Sequence, residues 1–118
     1  MTLGPVYDSN GSVSGWTEAD RLYSANGEVI GWLRDGAVYS LGGAHVGWHE
    51  RGQFRDAAGC VVAWAQDALG GPNKPRKPGE PHRPALGSTP IRPSFSRRMG
   101  RIAFLPHWSE RTWESYLH

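Results

Sequence analysis

Residues 23–32, Tyr23-Ser24-Ala25-Asn26-Gly27-Glu28-Val29-Ile30-Gly31-Trp32, decide the fold, because the chain repeats their pattern around residues 7–16, 39–48 and 55–64. Set in register without a gap, the four copies align Val6, Leu22, Val38 and Phe54, and next to them Tyr7, Tyr23, Tyr39 and Arg55. Gly11, Gly27, Gly43 and Gly59 form another column, followed by Gly15, Gly31, Gly47 and Ala63, and then Trp16, Trp32, Trp48 and Trp64. A fixed period of sixteen residues means one structural unit written four times. Such a unit cannot bury its own apolar face and must pack on its neighbours.

Within each unit the signals are those of a β-hairpin. Asn10-Gly11 and Asn26-Gly27 suit a two-residue turn with positive φ at both positions, and Gly42-Gly43 and Ala58-Gly59 stand in the same place. Strand formers flank them, as in Val29-Ile30-Gly31-Trp32-Leu33. Asp35-Gly36 and Arg51-Gly52, with Ala19-Asp20 and Asp67-Ala68 at equivalent places, join one hairpin to the next. A meander of about eight short strands follows. A two-residue turn would put Tyr7, residue 14 and Trp16 on one face and Val6 and Val13 on the other. Both faces are then apolar, so one lines an interior and the other also needs cover. Closure around a pseudo-fourfold axis meets the first need and removes free edges. The tryptophans are expected in the core. The glycine before each one is expected to bend the strand inward or to make room for a neighbouring tryptophan, either of which serves closure of a very small barrel.

The fourfold recurrence of strand, Asn-Gly-like turn and Gly-Trp resembles the bacterial four-fold β-flower domains. That resemblance covers residues 4–68 and implies a shallow symmetric barrel of hairpins, without any established biochemical activity. Arg55 and Ala63 depart from their columns in the last repeat. The expected fold is thus all-β: four 16-residue hairpin repeats closed into a small shallow barrel, then a polyproline II segment and a short C-terminal helical turn. The corresponding divisions are residues 4–68, 69–94 and 95–118.

After the repeats a second period takes over. Pro72, Pro75, Pro78, Pro81 and Pro84 recur every third residue, with Pro90 and Pro93 resuming the series. Three residues per turn is the polyproline II period, which places the prolines on one stripe of an extended rod. From Pro72 to Pro93 such a rod spans about 65 Å, against a domain on the order of 25–30 Å across, so it wraps the barrel, projects past it or reaches another chain. Wrapping is favoured, because Gly79 and Gly87 allow bends and the aromatic columns need cover. Ile102-Ala103-Phe104-Leu105 reads as a short strand. The run from Ser109 reads as a capped helical turn with Trp113, Tyr116 and Leu117 on one face.

The net charge of +2 conceals an uneven distribution. Lys74, Arg76, Lys77, Arg83, Arg92, Arg97, Arg98 and Arg101 face Glu80 as the one acidic residue between Lys74 and Arg101. Cys60 is the single cysteine, so the chain can form no disulfide within itself. No basic-then-apolar leader opens the chain and no apolar run reaches the length of a membrane span; a cytoplasmic location is expected.

Signals of catalysis are weak. His45 and His49 lie four apart on what should be one strand face, about 13 Å from each other and too far to share an ion. Asp8 and Asp56 share a column with Ser24 and Ser40, which suits bonds to the turn backbone better than a carboxylate dyad. No phosphate loop or nucleophile elbow is present. The expectation is therefore a non-enzymatic binding or scaffolding module with no cofactor and no metal. The candidate binding residues are Tyr7, Tyr23, Tyr39, Trp16, Trp32, Trp48, Trp64, Pro72, Pro75, Pro78, Pro81, Pro84, Trp113 and Tyr116. The partner would be a protein or a second copy. A nucleic acid or anionic surface held by the basic tail, and a small ligand or lipid at the barrel mouth, are the alternatives.

Overall fold

The computed structural model describes residues 3–75, 82–100 and 102–118. Eight strands run in chain order: β1 Gly4–Tyr7, β2 Val13–Glu18, β3 Arg21–Ser24, β4 Val29–Arg34, β5 Ala37–Ser40, β6 His45–Glu50, β7 Gln53–Arg55 and β8 Val61–Ala65. Each pairs antiparallel with the next, and β1 pairs with β8 to close the barrel. The register shows why closure follows from the repeat. Trp16 pairs with Tyr23, Trp32 with Tyr39 and Trp48 with Arg55, and Trp64 then pairs with Tyr7. Each repeat thus hands its tryptophan to the next, and the fourth hands its own to the first. The molecule is a shallow body of 37 × 35 × 23 Å.

The two kinds of turn exchange the expected roles. The two-residue turns with positive φ at both positions are Asp35-Gly36 and Arg51-Gly52, between repeats. At Asn26-Gly27 the loop has three residues. Gly27 N–H donates to Ser24, Ser24 N–H donates to Glu28, and within the loop only Gly27 takes a positive φ, of 91°. A type I turn ending in a left-handed glycine has this form. The physical reason lies in the preceding column. Ser24 Oγ accepts from the amides of Asn26 and Glu28, and Asp8 and Asp56 do the same in their own turns. These side chains hold the longer loop.

A bulge accompanies each three-residue loop. Val6 faces Gly15 while Tyr7 faces Val13, so Ser14 is the extra residue, and Ile30, Val46 and Val62 occupy its place in the other repeats. The expected faces change accordingly. Val13 and Val29 join the tryptophan and tyrosine side, whereas Ile30, Val46 and Val62 join Val6, Leu22, Val38 and Phe54 inside. His45 and His49, with the bulge residue between them, end on opposite faces: His45 lies against Tyr39 and Trp48, and His49 against Phe54.

The C-terminal helix α1, Trp113–Leu117, starts at Thr112 rather than Ser109. Thr112 and Ser115 form a reciprocal capping box, while Ser109 Oγ donates to Asp56 at 2.6 Å. Residues 102–105 form no strand; Trp108 instead makes an isolated parallel bridge to Val61.

Candidate functional site

The barrel is a bowl, and α1 fills it. Trp113, Tyr116 and Leu117 are buried among Val6, Leu22, Val38 and Phe54. The glycines before the tryptophans make this possible. A Cβ at Gly15 would overlap Trp113, one at Gly31 would meet Leu117 at 2.9 Å, and one at Gly47 would overlap Tyr116 and the Arg55 carbonyl. Three side chains of one helical turn thus occupy three quarters of a fourfold floor. Ala63 holds the fourth position, buried in the same cluster. The bulges leave carbonyls facing inward, and two of them accept from the plug: Tyr23 O from Trp113 Nε1 at 2.9 Å, and Arg55 O from Tyr116 Oη at 2.7 Å. Burial, with Asp56 nearby, pushes the Tyr116 phenol well above its ordinary range, so it remains a donor. The axial space that a small ligand would take at the barrel mouth is filled by these side chains.

Outside the barrel, the segment after the repeats forms a strap. Gly87 N–H donates to Gly27 O, Ser96 N–H to Gly43 O and Leu105 N–H to Gly59 O, all at 2.8–3.0 Å. The donors are nine residues apart on the strap and the acceptors sixteen apart on the barrel. Nine extended residues cover about 28 Å, about a quarter of the perimeter of a disc this broad. The carbonyls of Ala85, Ser94 and Ala103, again nine apart, lie where a side chain on each turn glycine would go. Phe95 stacks on Tyr39 with ring centres 4.2 Å apart, and nine residues on, Phe104 faces the Arg55 guanidinium at 4.8 Å. Arg55, in a tyrosine column, also donates to the carbonyls of Gly59 and Leu105. It is a second clasp for the strap.

This register corrects the expected proline stripe. Pro72 is buried, Pro75, Pro84 and Pro93 are half-buried, and Pro90 is exposed; Pro78 and Pro81 lie outside the described residues. Among the described residues Pro84 and Pro93, nine apart, lie beside the turn glycines Gly27 and Gly43, while Pro90 between them is exposed, because contacts along a repeat barrel follow the repeat. Tyr7, Tyr23, Tyr39, Trp16, Trp32, Trp48 and Trp64 are all buried. Trp32 Nε1 donates to Leu41 O and Trp64 Nε1 to Asp8 O, each at the turn of the following repeat. The basic residues are partly engaged as well. Arg92 pairs with Asp20, and Arg98 reaches Asp35, Tyr39 Oη and Arg34 O.

Of the remaining chemistry-bearing groups, Cys60 has its thiol pushed up by burial and by Asp56, which opposes a thiolate at neutral pH. Among the described residues no helix is long and apolar enough to cross a membrane.

A trough of about 560 Å³ remains open beside α1, at the rim of the second and third repeats. Ile30, Leu41 and Leu117 supply its apolar lining, and Glu28, Glu114 and His118 its polar edge. Sequence reasoning did not reach this site, although one signal was present. Leu41 stands at a turn tip where the other repeats carry Ser9, Ala25 and Ala57, and it is 43% exposed.

A family model described as 4-fold beta flower protein matches residues 4–117, taking in the strap and the helix as well as the repeats. Comparison with curated proteins and with solved structures returned no match.

Proposed function

We propose that this chain, which belongs to the four-fold β-flower family, is a non-catalytic protein-binding module that receives its partner in the trough beside α1. The carrying observation is Leu41. A repeat protein contains its own controls, and departures at Arg55 and Ala63 are accounted for by folding: Arg55 clasps the strap, and Ala63 is buried in the core with the plug. The side chain of Leu41 serves no such purpose, and an exposed leucine beside Ile30 and Leu117 favours contact with another apolar group. Glu28 and Glu114 add carboxylates at the edge, where the other repeats have Ser12, Ala44 and Cys60 in the Glu28 column. A segment presenting an apolar side chain next to a cationic one fits this lining. The aromatic columns and half-buried prolines, which sequence alone suggests as the contact surface, are engaged within the chain, so the reading moves to the rim.

Affinity capture from a cell extract with the full chain and with Leu41→Asp tests this. A protein retained by the wild type and lost by the variant, at equal melting temperature, supports the reading. Identical retained sets overturn it.

A further inference from the structure

His45 stands where the other repeats have Val13, Val29 and Val61. Three valines show that the fold asks for an aliphatic group there, yet this imidazole is only 8% exposed. Both of its nitrogens are engaged. Nε2 lies 2.7 Å from Gly47 O, which can only accept, so Nε2 carries the proton. Nδ1 is then the acceptor, and it receives the Met99 amide of the strap at 2.8 Å. The His45 amide in turn donates to Ser96 Oγ at 2.9 Å.

We propose that His45 is a proton-operated latch: neutral, it fastens strap residues 95–99 over the third repeat, and a proton on Nδ1 sets a donor against the Met99 N–H and releases that segment. The segment that lifts carries Phe95 off Tyr39 and Arg98 off the Tyr39 hydroxyl, so release uncovers an aromatic face of the barrel. This latent face is separate from the trough.

The surroundings favour a neutral latch at pH 7. Tyr39 of β5 faces the ring at 5.4 Å, Arg98 faces it from the strap, and Arg111 and His118 share the small cleft beside α1. Arg98 opposes a further positive charge on the ring. Burial, and then Arg98, lower the His45 pKa against the raising effect of the Gly47 carbonyl. The sign follows. A base with a lowered folded pKa takes up its proton more readily when released, so the latch is at full strength above the ordinary value of about 6.5 and weakens as pH falls below it.

Amide hydrogen exchange of the full chain, corrected for intrinsic rates, is the test, with the His45 imidazole followed by NMR over the same range. Between pH 7.5 and 5, protection at Met99 should fall at least about tenfold as His45 protonates, while protection at Gly87 and Leu105, on the neighbouring repeats, should hold. In His45→Val, the residue of the other repeats, protection at residues 95–99 should no longer depend on pH. The latch is overturned if His45 stays neutral down to pH 4.5, if it protonates with Met99 still protected, or if the valine variant keeps the wild-type pH dependence.

Discussion

At the scale of the residue, one column does two jobs. The glycines before the tryptophans sit on strands, where glycine costs stability, and the sequence offers bending or clearance as the reason. The clearance belongs to a helix about 70 to 100 residues further along the chain. Gly47→Ala should therefore be severe, because the new methyl overlaps the Arg55 carbonyl and the Tyr116 ring, and backbone cannot move aside as a flexible side chain can. About 3 kcal/mol or more is expected from denaturant unfolding, at or above the upper end for overpacking. Gly42→Ala is the control. A Cβ there meets nothing within 4 Å and the backbone does not take positive φ, so the change should stay within about 0.5 kcal/mol. Equal costs at the two positions would show that α1 does not rest on the glycine floor.

At the scale of the element, the hairpins were legible and the plug was only half so. Asn-Gly and Asp-Gly spacing, alternation and the tryptophan period locate the strands because they are local consequences of backbone sterics. The bulges were not legible, since they depend on where Ser24 and Asp56 oxygens take up loop amides. That one extra residue transfers Ile30 and Val46 to the interior and divides His45 from His49. The apolar face of α1 could be read from Trp113, Tyr116 and Leu117, but a five-residue helix carries no signal of what it will enter. Its worth can be separated into packing and hydrogen bonding. Trp113→Ala should cost about 3–5 kcal/mol, as for emptying any large aromatic site. Trp113→Phe keeps most of the volume but leaves the Tyr23 carbonyl without its indole donor, and should cost about 1–3 kcal/mol. Equal losses from the two variants would mean that the indole hydrogen bond, not packing, holds the plug.

At the scale of the whole molecule, barrel, strap and plug complete one another. Val6, Leu22, Val38 and Phe54 on the inner face lie under α1, and on the outer face the strap meets Tyr39 through Phe95 and Trp32 through Arg92, so the sequence expectation that two apolar faces need two covers has a concrete form. The strap's own period stayed hidden because nine is a multiple of three. Pro84 and Pro93 belong at once to the proline series and to the series set by the barrel, and the shorter period is the one that composition advertises. Ile102 in the next place, and Phe95 and Phe104 nine residues apart, are the signs that the longer period governs contact. The repeats alone should then be an incomplete fold. Thermal unfolding of the full chain beside a chain ending at Ala68, followed by tryptophan near-ultraviolet dichroism, tests this most directly. The truncated chain is expected to lose its cooperative transition or to melt at least about 15 °C lower, the shift that a few kcal/mol produces in a domain of this size. A truncated chain that melts cooperatively at the temperature of the full one would contradict the account.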